Sequence, residues 1–158
     1  MPLVWRLTSP AYARVLDGEG NRMTGARWNS PGRGVVYTSA NLSLCVLETY
    51  VHIPPALREA LPSFAAVCLN VPDDAEATRV GPAELQRLIS ASNPQAAFRS
   101  LGDKWLREAR NLLLVAPSVV VPEELNIMLN PAHARMRDVQ VVSTRPFQFD
   151  PRLVAARV

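Results

Sequence analysis

Lysine is nearly missing from this chain: Lys104 is its only one, and the other 16 of its 17 basic residues are arginine. Arginine suits planar, two-pronged contacts with anions, although a GC-rich genome would leave the same bias. No block of basic residues stands out, and the formal charge is only +3, with a pI near 9.3. That balance fits a small anionic ligand or an acidic partner and argues against direct nucleic-acid binding, as do the few aromatics and the lack of a basic stripe. Cysteine is scarce too. Cys45 and Cys68 lie in apolar stretches without C-x-x-C spacing, which predicts buried free thiols in a reducing compartment. No apolar run approaches the ~20 residues of a membrane span, and the start of the chain lacks a basic region followed by an apolar one. A cytoplasmic location away from membranes is expected. His52 and His133 have no ligand spacing, so no metal site is expected. Gly18-x-Gly20 lacks a third glycine and a clean strand–helix pair, which excludes a Rossmann fingerprint, and there is no Walker motif.

What is present is a globular composition, 48% apolar and 20% charged over 158 residues, long enough for one domain (1–158) with a real core. Val4–Thr8, Val35–Ser39 and Ala65–Val71 read as strands. So do Leu112–Ala116, Val119–Val121, Val139–Ser143 and Phe147–Phe149. Asn41 caps a helix over Leu42–His52 that Pro54-Pro55 stops. Gly81-Pro82 opens a helix through Ile89, and Asn93-Pro94 opens another carrying Phe98, Leu101 and Trp105, which Gly102 can break. Strands and helices outside strict alternation point to an α+β fold.

Four positions carry candidate chemistry. Glu48 falls on the apolar stripe of its helix with Leu44, Cys45 and Val51, where a carboxylate is costly unless it is paired or used; the alternative is a glutamate on a solvated edge. Arg27, in Gly25-Ala26-Arg27-Trp28-Asn29-Ser30-Pro31-Gly32, is either a phosphate reader on a loop or a surface arginine packed on a ring. Arg6 lies inside an apolar strand and needs an anion, either a ligand or a neighbouring acid. Tyr37 alternates with Val36 and Thr38 as a core tyrosine does. Ser118 has no G-x-S-x-G context, so a hydrolase nucleophile is not expected there.

In order along the chain, Val4-Trp5-Arg6-Leu7, Gly25-Ala26-Arg27-Trp28-Asn29, Val36-Tyr37-Thr38-Ser39, Leu47-Glu48 with His52, and Gly102-Asp103-x-Trp105-Leu106 form one series. It continues through Pro117-Ser118-x-Val120-Val121-Pro122-x-Glu124-x-Asn126, Leu129-Asn130-Pro131-x-His133 and Pro146-Phe147-x-Phe149-Asp150-Pro151-Arg152-Leu153. This series resembles the RES-domain family, toxins of bacterial type II toxin–antitoxin pairs. The arginine, glutamate and serine of the family name match Arg27, Glu48 and Ser118. Cys45 departs from the pattern, standing where a smaller residue is expected. The resemblance implies a split β-sheet core of ADP-ribosyltransferase type and a toxin that arrests growth. It also implies an Xre-like helix-turn-helix antitoxin as partner, covering the NAD cleft. NAD is then the substrate, with no cofactor required. The activity the resemblance implies is that of an NAD phosphorylase, a glycohydrolase or a transferase acting on a host protein.

For such a reaction the residues divide by chemistry. Breaking the nicotinamide–ribose bond builds positive charge on the ribose, as in glycoside hydrolysis, and needs a carboxylate beside it; Glu48 fits. Arg27 and Arg6 suit the pyrophosphate, and the Tyr37 ring suits nicotinamide. Ser118 and Asn126 can hydrogen-bond ribose or amide groups, with Ser39 beside them in the NAD-binding set. The competing class is a non-catalytic module that binds a nucleotide or an antitoxin. It would keep Arg27 and have no need of Glu48.

Overall fold

A computed structural model describes residues 2–154; Met1 and residues 155–158 of the expected 1–158 domain lie outside them. Strand β1 (Leu3–Thr8) is followed by a 3-10 turn at Pro10–Tyr12 and a one-turn helix, α1 (Glu19–Arg22). Strand β2 (Val36–Ser39) leads into helix α2 (Leu42–Val51). Then come β3 (Phe64–Asn70), β4 (Ala77–Arg79), α3 (Pro82–Ile89) and α4 (Pro94–Glu108). Strands β5 (Leu113–Pro117), β6 (Leu125–Leu129) and β7 (Gln140–Phe147) complete the fold.

The strands form one seven-stranded mixed sheet in the order β4-β5-β6-β2-β1-β3-β7. Among the described residues only β4 and β5 pair in parallel. The architecture is α+β, as expected. The sheet is continuous, yet it narrows at its middle: β1 and β2 share a single registered pair, Trp5 with Ser39, whereas β1 and β3 share six. The split expected of the core takes this form, a one-pair seam in an unbroken sheet.

Strand alternation sends successive side chains to opposite faces, and the core divides accordingly. Leu113, Val115 and Leu129 join Val4, Val36 and Val67 on one face. Leu114, Ala116 and Met128 join Trp28, Phe98 and Trp105 under α3 and α4 on the other. Both cysteines are free and buried.

Several local expectations change. Val119–Val121 is no strand: Ser118 Oγ accepts from the amides of Val120 (3.0 Å) and Val121 (3.1 Å) and bends the chain. Helix α4 runs unbroken through Gly102, where glycine answers a packing need: a side chain there would collide with the Trp28 carbonyl, 1.7 Å from an ideal Cβ. The two short C-terminal strands fuse into β7, with Pro146 on the sheet edge, where no ladder donor is needed. Val51 leaves the expected stripe of α2 and is 40% exposed.

Candidate functional site

Helix α2 starts because Asn41 Oδ1 accepts from the Leu44 amide at 2.8 Å, the usual work of an N-cap. The same side chain donates through Nδ2 to Glu124 Oε2 at 2.7 Å. This ties the start of α2 to the loop after β5. Two turns on, α2 presents Glu48 to the chain just after β5 and to β6.

Glu48 is held by side chains from distant parts of the sheet. Ser118 Oγ donates to its Oε1 at 2.6 Å, and Asn126 Nδ2 donates to the same oxygen at 2.8 Å. Ser39 Oγ in turn donates to Asn126 Oδ1 at 2.7 Å, as the β2–β6 register requires, since Ser39 lies directly across from Asn126. Among the described residues no donor reaches Oε2. One carboxylate oxygen is thus fixed by two donors, and the other is left for the cavity that Glu48 lines.

That cavity measures about 580 Å³ and is bounded by Arg27, Tyr37, Ser39, Glu48, His52 and Asn126, among others. This is within the range of small-molecule sites. Tyr37 forms a wall and does not use its hydroxyl on the cavity: the group donates to Asn29 Oδ1 at 2.6 Å and accepts from the Trp28 amide at 3.0 Å. Burial pushes its phenol well above the usual range, so it stays a neutral donor. Asn29 is wholly buried and also donates to the Arg33 carbonyl at 2.6 Å. Helix α4 grips the same loop. Arg99 Nε donates to the Ala26 carbonyl (3.0 Å), and Asp103 accepts from the Ser30 amide (2.9 Å) and hydroxyl (2.5 Å). Between them the loop's backbone is fixed, and Arg27 projects from it, exposed, with its guanidinium carbon 4.9 Å from the centre of the Phe98 ring. Among the described residues no carboxylate pairs with it.

The structure therefore brings Arg27, Tyr37, Ser39, Glu48 and Asn126 to one cavity. Ser118 stands behind it, fully buried, with its hydroxyl taken by Glu48 and two amides. It positions the carboxylate and does not face the cavity. Arg6 is elsewhere. It lines a second cavity of about 410 Å³ that shares Leu7 and Tyr37 with the first, and its guanidinium donates to the Val15 carbonyl at 2.9 Å. Cys45 lines the main cavity, its thiol pushed up to about 12 by burial. The residues alone do not show that Asn29 and Asp103 hold the Arg27 loop, nor that His52 Nδ1 lies 2.6 Å from the Glu48 carbonyl.

A family model described as the RES domain matches residues 3–150. The chain belongs to the RES-domain family. Among its RES-domain relatives, a Sphingobium protein named Prs ADP-ribosylating toxin is 35% identical over 156 residues, covering 95% of each chain. A Photorhabdus laumondii protein named Toxin Res is 31% identical, covering 98% of this chain and 99% of its own. The fold matches the crystal structure of the M. tuberculosis MbcT–MbcA toxin–antitoxin complex, with a TM-score of 0.73 at 17% identity over 92% of this chain and 83% of that one. No helix among the described residues is long and apolar enough to cross a membrane.

Proposed function

We propose that this RES-domain chain is the toxin of a toxin–antitoxin pair and that it consumes NAD by breaking the nicotinamide–ribose bond. The ADP-ribose passes to phosphate, water or a host protein, and the partner is an Xre-like helix-turn-helix antitoxin that covers the cavity mouth in the cytoplasm. The names of its relatives support the toxin reading. The observation that carries the chemistry is Glu48, with Oε1 fixed by Ser118 and Asn126 and no described donor on Oε2. A module that only bound a nucleotide would have no use for a carboxylate held in this way.

The reaction divides among the residues as follows. The Arg27 guanidinium takes the pyrophosphate, whose charge is present throughout the reaction. The Tyr37 ring gives nicotinamide a flat wall. As the glycosidic bond lengthens, positive charge grows on the ribose beside Glu48 Oε2, and a carboxylate already oriented stabilises that charge without reorganising. Asn126 and Ser39 hold this geometry from the sheet, and Ser118 from behind. Arg6 reaches the substrate only if the dinucleotide extends past Leu7 and Tyr37 into the second cavity.

The test is direct. Purified protein free of antitoxin, incubated with NAD, is expected to release nicotinamide, and product masses identify the acceptor. NAD left intact after long incubation with phosphate, and with cell extract as a source of acceptors, rules the reaction out.

A further inference from the structure

His52 lines the main cavity and closes α2 as its C-cap, one turn beyond Glu48. Its Nδ1 lies 2.6 Å from the Glu48 main-chain oxygen. A carbonyl oxygen can only accept, so Nδ1 carries the hydrogen, and the lone pair of the neutral ring sits on Nε2. The ring is exposed, so an acceptor arriving from solvent can meet it. The mechanism above has no role for a base, yet two of its three acceptor classes need one.

We propose that His52 is the general base for oxygen acceptors that carry a proton, namely water or a protein hydroxyl, and that it is dispensable for phosphate. The inference rests on the NAD-cleaving reading. The bond from ribose C1′ to the nicotinamide nitrogen breaks, and its electron pair leaves with neutral nicotinamide. The acceptor oxygen bonds to C1′, and its proton passes to His52 Nε2 and then to solvent. Phosphate already carries an anionic oxygen and attacks without surrendering a proton. His52 therefore biases where the ADP-ribose goes, and Glu48 governs whether it is released at all.

The experiment compares wild-type protein with His52→Asn, whose amide keeps a donor for the Glu48 carbonyl and removes the base. Each is given NAD with water alone, with added methanol as a simple hydroxyl probe, or with saturating phosphate, and every product is quantified. For His52→Asn, ADP-ribose and methyl ADP-ribose are expected to fall about 10²-fold. The phosphate product should stay within about threefold, which also reports an intact fold in the same sample. His52→Ala should behave alike and recover its water product on addition of imidazole. An equal fall in all three products makes His52 a support for Glu48 and overturns the proposal, as does no fall in any. Wild-type protein that releases nicotinamide only with phosphate also overturns it while leaving the NAD reading intact. No nicotinamide from wild-type protein with any acceptor overturns the reaction itself.

Discussion

The two functional walls of the cavity are built on opposite plans. On the Glu48 wall the side chain itself is held, with Ser118 and Asn126 on one carboxylate oxygen. On the Arg27 wall the backbone is held, through Arg99, Asp103 and the buried Asn29, and the side chain projects over the Phe98 ring with no carboxylate partner among the described residues. The difference matches the tasks assigned to them. Charge that exists for the lifetime of a transition state rewards a group already in place. A pyrophosphate keeps its charge throughout, so an anchored stem with a guanidinium free to adjust is sufficient.

Substitutions on each wall should separate accordingly. The largest effect is expected from Glu48→Gln. The amide oxygen can still accept from Ser118 and Asn126, so the melting temperature should hold, while kcat falls by roughly 10²-fold or more with little change in NAD affinity. Near-normal turnover in the folded variant would reduce Glu48 to a structural residue. Gly102→Ala attacks the other wall through its backbone. A methyl group 1.7 Å from the Trp28 carbonyl oxygen cannot be accommodated without moving α4 or the Arg27 loop. A loss of about 3 kcal/mol is expected, at the upper end of ordinary overpacking, read as a Tm lowered by roughly 6–12 °C. Unchanged melting would mean that the loop and helix are not locked together. Arg27→Ala should weaken NAD binding by about 1.5–3 kcal/mol, seen in KM and not in kcat. A loss confined to kcat would assign Arg27 to the reacting centre and erase the contrast between the walls. Arg6→Ala should change KM by less than about threefold, about 0.7 kcal/mol or less, because Arg6 lines the second cavity and not the one that Glu48 and Arg27 share. A KM rise equal to that of Arg27→Ala would show the dinucleotide occupying both cavities.

What could be read in advance follows the range of the forces involved. The start of α2 was legible because an asparagine cap acts over three residues, and Glu48 stood out because helical spacing set it among Leu44 and Cys45. The Val119–Val121 stretch misled because three β-branched residues favour a strand, and a single hydroxyl, Ser118 Oγ, outbids that preference locally. Strand β6 was invisible for a different reason: Leu125–Leu129 is covered on both faces toward its end and carries the polar Asn126, so no alternation marks it. The partners of Glu48 came only from family resemblance. Ser118 and Asn126 lie 70 and 78 residues away from it, and no local pattern encodes a contact across that distance. His52 stands at helical spacing from Glu48, but spacing does not show which ring nitrogen the Glu48 carbonyl occupies or which cavity the ring lines.

Those separations also bear on when, during synthesis, the proposed site is complete. A ribosome makes the chain from the amino end, and Arg27, Tyr37 and Glu48 emerge early. The hydroxyl and amide that hold the carboxylate come from Ser118 and Asn126, and the strand that carries Asn126 must pair with β2 across a long loop, a slow kind of closure. A nascent fragment that stops short of Asn126 therefore displays the named residues without the held carboxylate. The held carboxylate comes into being only after the chain has been made past Asn126 and β6 has paired with β2.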